Sequence, residues 1–449
     1  MKMKIIKLIY YIYTRNLKQK IMKVIKNELK EKNLLVFADF GCDTGFGKVA
    51  KELIDDWSRD SKLKIVVFAT NNFEKEAYHY SKNVLVIPAF STIQEKDPQG
   101  DYYCRLQFLR LLYNDNWDVV FCLNDVEVFN DFSEHIKNVK VEKKKNNKPS
   151  FKSILYFPID SEPRVTDLQV LNLFDEIVTY TEYAKDVVKR MVAPAIAKKV
   201  KVIPHGCNTT DFYPLSDIEK QNAKIELIGE ENKDAYLFGS VNRNSARKDL
   251  ATLILGFAYF KNLAKEPINA ILYLHCNPLD KAGVNIERLC QRLGLKFGID
   301  VVTPKDYNEN KGYEVEKLNK IYNAFDCFIT TTTAEGWGLT ITEAMATKCL
   351  VICPKHTSLT EITDNGANTL NFMYLTQMVF VKDYEKIRNV CSAPEVKTLM
   401  EVAYNLKNDE QELQDMVKLK IENAYKKVSK YSWKDISKQF KTIIDKLAK

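Results

Sequence analysis

The sequence predicts an α/β protein of two doubly wound parallel-sheet domains facing a central cleft. Three observations carry this. From Leu34 onward, short apolar runs alternate with longer amphipathic stretches. The alternation passes through a polar stretch, Thr209 to Lys233, and then begins again. In each half a glycine-containing turn separates the first apolar run from the amphipathic stretch after it, at Gly41–Gly47 and Gly239–Lys248. Buried strands alternating with helices imply a parallel sheet covered on both faces.

Composition agrees. At roughly 150 residues per domain, 449 residues make about three units, each able to bury a core without disulfides. Apolar residues are 45%, and Gly plus Pro only 28, which excludes disordered, collagen-like and low-complexity chains. The ten cysteines form no C-x-x-C pair and mostly sit in apolar runs such as Phe121-Cys122-Leu123, so reduced thiols are expected and a zinc site is not. No apolar run reaches the ~18–20 residues needed to span a bilayer. The N-terminal run Leu8–Tyr13 is too short for a signal peptide and lacks a small-residue cleavage site. The expected location is cytoplasmic.

In chain order, residues 1–33 come first. Ile21, Val24, Ile25 and Leu29 recur at helical spacing among lysines, which predicts a basic amphipathic helix. It either packs on the domain that follows or contacts an anionic membrane surface or a partner. Strands are then predicted at Leu34–Ala38, Lys64–Ala69, Val84–Ile87, Val119–Leu123, Ile154–Ile159, Glu176–Thr179 and Val200–Ile203. Helices fall between them near Lys48–Trp57, Tyr102–Tyr113, Phe129–Val139 and Glu182–Met191, and lysine-rich Val141–Ser150 reads as a solvated loop. The second set of strands is Tyr236–Val241, Ala270–His275, Asp300–Thr303, Cys327–Thr331 and Cys349–Cys353, followed by a largely helical tail from Val396. Facing doubly wound domains place ligands at the carboxyl ends of both sets of strands.

Three strand-to-helix loops carry candidate chemistry. Gly41-Cys42-Asp43-Thr44-Gly45-Phe46-Gly47 lets the backbone approach a ligand and opens a helix whose N-terminus favours an anion. Its G-x-x-x-G-x-G spacing is neither a dinucleotide fingerprint nor a P-loop, which disfavours a dehydrogenase; a tight structural turn also explains it. Arg243, Arg247 and Lys248 cluster where a strand meets a helix, suited to a diphosphate, or else form a solvated basic turn. Glu335 and Glu343 lie eight positions apart, one in a loop and one on the next helix. Both can face the cleft and accept sugar hydroxyls, or Glu335 caps and Glu343 is a surface residue.

Glu335 to Ala346, E-G-W-G-L-T-I-T-E-A-M-A, resembles the E-x7-E signature of retaining glycosyltransferases of the GT-B fold, family four. Ile203 to Pro214 is similar to that family's interdomain loop. Gly239 to Lys248 is similar to its phosphate grip, and Tyr431-Ser432-Trp433 to its terminal helix. Thr360-Glu361-Ile362 matches the stretch after the last strand, without the usual preceding glycines. The resemblance implies a GT-B fold of two Rossmann-like domains. They comprise an acceptor domain at residues 34–207, a nucleotide-sugar donor domain at 208–430, and a terminal helix at 431–449 returning to the first domain. It implies that Arg243 and Lys248 bind the donor diphosphate, Glu335 the donor sugar and Glu343 the ribose. Gly45, Gly47, His205, Gly336, Gly338 and Leu339 would complete the donor site. Many members carry a histidine where this chain has Asp160, which puts a catalytic histidine in doubt and leaves Asp160 as a ligand of an acceptor or donor hydroxyl.

The expected activity is therefore metal-independent, same-face transfer of a hexose from a UDP- or GDP-sugar to a hydroxyl of a glycan, lipid or protein, with no cofactor required. Fixed cations and helix termini stabilise the leaving diphosphate, and no D-x-D metal motif occurs. Alternatives are a sugar-nucleotide epimerase or other GT-B-fold enzyme, a glycoside hydrolase, and a catalytically inactive GT-B scaffold.

The net charge of +8 raises nucleic acid as a partner, but residues 1–32 hold ten Lys or Arg and two Glu. That leaves 57 basic and 57 acidic side chains in the other 417 residues, so no nucleic-acid partner is expected along the body. Deleting residues 1–32 is expected to weaken binding to anionic liposomes in a co-sedimentation assay without changing donor turnover; equal binding would remove the membrane reading.

Overall fold

The computed structural model describes residues 32–89, 103–130, 133–307, 312–372, 374–380, 385–406 and 410–448. The expected N-terminal basic helix lies outside them, except that Lys32 and Asn33 open the first strand.

The first domain contributes β1 (Lys32–Asp39), β2 (Leu63–Thr70), β3 (Tyr78–Ser81), β4 (Val84–Pro88), β5 (Val119–Leu123), β6 (Lys152–Phe157), β7 (Glu176–Thr179) and β8 (Val200–Val202). They form one sheet in the order β3-β4-β2-β1-β5-β6-β7-β8, parallel throughout except for β3 at the edge. The α-helices of five or more residues are α1 (Gly45–Trp57), α2 (Arg105–Asn114), α3 (Val126–Asn130), α4 (Ser133–Lys145) and α5 (Glu182–Met191).

The second domain contributes β9 (Tyr236–Val241), β10 (Ala270–His275), β11 (Val301–Val302), β12 (Cys327–Ile329), β13 (Leu350–Pro354) and β14 (Leu370–Phe372), all parallel in the order β11-β10-β9-β12-β13-β14. Its helices are α6 (Asp217–Ile228), α7 (Leu250–Asn262), α8 (Ile286–Arg292), α9 (Val315–Ala324), α10 (Leu339–Ala346), α11 (Ala393–Asn405) and α12 (Gln411–Val428), before a last helix α13 (Trp433–Leu447). An antiparallel ribbon, β15 (Tyr374–Phe380) and β16 (Lys386–Cys391), leaves the second sheet. No described helix is long and apolar enough to cross a membrane.

Both sheets reverse strand order beside their first strand, between β1 and β5 and between β9 and β12. Loops part there, and ligands of doubly wound sheets bind in the crevice. All three candidate loops of the sequence open at these two points.

Two sequence expectations are corrected. The stretch taken as a loop, Val141–Ser150, is helical to Lys145 in α4. The lysines of α4 are partly structural: Lys143 is buried and donates to the Asp115 carbonyl at 2.7 Å, and Lys140 donates to the Leu173 carbonyl at 2.9 Å. The single helix expected at Phe129–Val139 is two, α3 and α4. The polar stretch 209–233 contains α6, started by a capping box in which Ser216 and Glu219 bond each other's backbone amides.

Helix α13 returns to the first domain. Ser437 bonds Asp56 at 2.6 Å, Lys441 pairs with Asp60, and the Trp57 indole donates to the Ser437 carbonyl at 3.4 Å. Phe440, fully buried, meets Trp57, Phe121 and Tyr156 edge-on. Trp433, at the start of α13, covers Gly206 so closely that a Cβ there would lie 2.4 Å from the indole. Phe440→Ala is expected to cost about 3–5 kcal/mol, the usual loss for a buried aromatic, as read by chemical denaturation.

Candidate active site

The loop after β1 is shaped by Asp39, which accepts hydrogen bonds from Thr44 at 2.7 Å and Thr70 at 2.6 Å. Thr44 in turn caps α1 by accepting from the Gly47 amide at 2.9 Å. At Gly47 a Cβ would lie 2.3 Å from the Cys42 carbonyl oxygen, so this turn needs glycine. The start of α1 faces the start of α10 across the cleft: a Cβ at Gly45 would lie 3.8 Å from Leu339. Two helix N-termini, each an anion-favouring end, thus converge.

The loops after β9 and β12 run side by side. The Thr333 amide and hydroxyl both donate to the Arg247 carbonyl, at 2.8 and 2.9 Å, and Arg247 donates to the Ala334 carbonyl at 2.5 Å. Glu335 sits in this seam, 7% exposed. Lys248 bonds its Oε1 at 2.5 Å, Thr332 donates to the same oxygen at 2.8 Å, and Arg247 lies 3.1 Å from Oε2. Burial alone would raise the Glu335 carboxyl, but Lys248 and Arg247 outweigh it and hold it down to about 2. Burial also lowers Lys248 from the ordinary lysine value, against the pull of Glu335.

Glu343, on α10, accepts from the Tyr322 hydroxyl at 2.6 Å and lies 3.5 Å from Lys48 of α1, so an ion pair crosses the cleft. Arg243 stands apart from Lys248: its guanidinium is half-exposed or more and pairs with Asp280 at 2.7 Å. The arginine beside Glu335 is Arg247. His205 is buried among Tyr156, Tyr180, Trp337 and Trp433. The Tyr156 hydroxyl donates to the Ile203 carbonyl at 2.9 Å, so its oxygen is placed to accept from His205 Nδ1–H at 2.7 Å. Burial brings the His205 imidazole down to about 3, so it is neutral at physiological pH. Gly336 abuts Pro158 of the first domain, and Gly338, at φ 104, starts α10.

Asp160 lies between the domains, 3.1 Å from Arg388 and 3.7 Å from Lys386. Two buried polar atoms on rings packed against His205, Tyr180 Oη and Trp337 Nε1, have no hydrogen-bond partner among the described residues. No three His, Cys, Asp or Glu among those residues are grouped as metal ligands would be. Lys48, Tyr322, Lys386 and Arg388 were not anticipated as site residues; only Lys48, next to the glycine loop, had a local signal.

With this geometry in view, comparison with known proteins is informative. Residues 221–387 match the family model of glycosyl transferases group 1. The fold is GT-B. A probable sucrose-phosphate synthase of Thermosipho melanesiensis is 26% identical over 260 residues, 57% of this chain and 49% of the relative. The chain thus spans about half the length of that curated relative. The structure of sucrose-phosphate synthase from Thermosynechococcus elongatus superposes with a TM-score of 0.65 at 15% identity, covering 93% of this chain and 99% of that one. HepE of Anabaena, in complex with UDP-glucose, gives 0.63 at 13% identity, covering 92% and 99%.

In this GT-B chain the Glu335 carboxyl is lower when folded than its ordinary value of about 4.3, so its contribution to stability is present above that value and lost as pH falls toward 2. Lys248→Met is therefore expected to cost up to ~3 kcal/mol near pH 7, less than a full pair because Arg247 remains. The difference from wild type should shrink as the pH is lowered from 5 toward 2; a pH-independent difference in chemical denaturation would contradict the pairing.

Proposed function

We propose that the chain is a retaining, nucleotide-sugar-dependent hexosyltransferase of family four that works without a metal. The observation that carries this is the Lys248–Glu335 pair at the strand-order reversal of the second sheet, with Glu343 on the helix that follows and two helix N-termini facing it. The match of residues 221–387 to a glycosyltransferase family supports the same reading.

On this reading the second domain is the donor domain, spanning 208–430, and the first, 34–207, binds the acceptor. The diphosphate lies between the amides at Gly45–Gly47 and Gly338–Leu339, with Lys248 on its charge and Arg243 at the rim. Glu335 and the Gly336 backbone hold the hexose, Glu343 holds the ribose, and His205 backs the Trp337 wall. Because HepE is recorded with UDP-glucose, a UDP-hexose is the first donor to try, with GDP-sugars next. In the transfer step the bond from the anomeric carbon to the diphosphate oxygen breaks as the acceptor oxygen bonds to that carbon on the same face. The acceptor proton passes to the departing phosphate oxygen. Cations and helix dipoles already aimed at that oxygen stabilise its growing charge without reorganising. The cleft must exclude water, because hydrolysis of the donor competes.

The test is nucleotide release from a panel of UDP- and GDP-sugars, with and without candidate acceptors. Lys248→Ala and Glu335→Ala are each expected to lower kcat/KM about 10²–10³-fold, the range seen when one charge-stabilising donor is removed. Turnover of no donor, or unchanged turnover in both variants, would contradict the proposal.

A further inference from the structure

The ribbon β15–β16 leaves the second sheet and puts two cations against the first domain. Arg388, 2% exposed, holds Asp160 Oδ2 at 3.1 Å. Lys386 lies 2.9 Å from Glu127 and 3.7 Å from the other Asp160 oxygen. The ribbon is itself fixed to the loop that carries Glu335: the Asn389 amide donates to the Thr333 carbonyl at 3.3 Å, and the Cys391 thiol lies 3.9 Å from the Thr331 carbonyl. Asp160 follows β6 by three residues, beside Pro158, which abuts Gly336. Glu335 and Asp160 therefore face each other across the cleft, with Arg247 acting electrostatically on both.

Resting on the donor reading above, we propose that Arg388 is a positioning residue: it fixes the Asp160 carboxylate, with Lys386 bracing the other oxygen, so that Asp160 accepts a hydroxyl of the hexose that Glu335 holds. A buried arginine on a carboxylate is a costly arrangement unless both charges are matched, and here the match is made across two domains. Burial would raise the Asp160 carboxyl, but Lys386, Arg388 and Arg247 outweigh it and hold it well below the usual carboxylate range. The other groups facing it are Ser161, which bonds it at 3.3 Å, and Tyr183, Asp125 and Lys248, which feel its charge. Burial and the neighbouring Glu127 push Asp125 up to about 7, whereas the cations around Asp160 keep it ionised through neutral pH. Because its folded value is depressed, loss of Arg388 raises it, and the carboxylate becomes protonated as pH falls.

Calorimetric titration with UDP-glucose and with UDP separates this from a merely structural role. R388Q is expected to weaken UDP-glucose about tenfold, the worth of one charge-assisted hydrogen bond, while UDP stays within about twofold of wild type. The fall in UDP-glucose affinity as pH is lowered should begin at higher pH in R388Q than in wild type, because loss of Arg388 raises the Asp160 carboxyl. R388K should recover most of the loss, and on a D160N background R388Q should add less than about twofold. Equal loss of UDP and UDP-glucose, or a sugar-specific loss undiminished on D160N, would overturn the proposal. If wild type binds neither these ligands nor GDP and GDP-glucose, the donor reading on which the proposal rests fails instead.

Discussion

Burying Glu335 strips its carboxylate of water, a loss that only neighbouring cations can offset, and those cations are present because the loops after β9 and β12 run side by side. The hydrogen bonds that join Thr333 to Arg247 bring Lys248 to one carboxylate oxygen and Arg247 to the other. Replacing the pair with apolar side chains would cost the fold little or nothing, since buried ion pairs rarely add net stability. Their position at the point where strand order reverses suits a ligand that is itself polar and anionic. On the proposed function, a nucleotide sugar would offer a diphosphate to the lysine and hydroxyls to the carboxylate.

The same constraint organises the contact between domains. Glu343 of the second domain meets Lys48 of the first, Gly336 meets Pro158, and Glu361 accepts from the Glu182 amide at the start of α5 at 2.8 Å. Asp160 meets Arg388. Apart from the contact at Pro158, these crossings pair a charged group with a helix terminus or an opposite charge. They occur at the carboxyl ends of both sheets, where doubly wound folds bind ligands. Behind them, aromatic packing of His205 with Trp337 and Trp433 joins the seam to the returning helix α13.

Much of this was legible in the sequence because it is local. Alternating apolar runs located most strands, and glycine spacing marked the loops after β1 and β9. The eight-residue separation of Glu335 and Glu343 placed them on a loop and the helix after it. Which arginine turns inward was not legible. A short 3₁₀ turn at Ala246–Lys248, followed by left-handed Asp249 at φ 48, aims Arg247 at Glu335 and leaves Arg243 on Asp280. Nor was the ribbon: its strands carry mixed polar residues, and its contact with Asp160 joins positions 228 apart in the chain. The second half of α4 was missed because its lysines look solvated, whereas Lys140 and Lys143 bury their stems and bond carbonyls.

The deciding measurement is where a nucleotide sugar binds. A crystal structure with UDP-glucose should place the diphosphate within hydrogen-bonding distance of Lys248 Nζ, between the starts of α1 and α10, with hexose hydroxyls on Glu335 and ribose hydroxyls on Glu343. A sugar nucleotide bound elsewhere on the chain, or a diphosphate that leaves Lys248 on Glu335 alone, would contradict it.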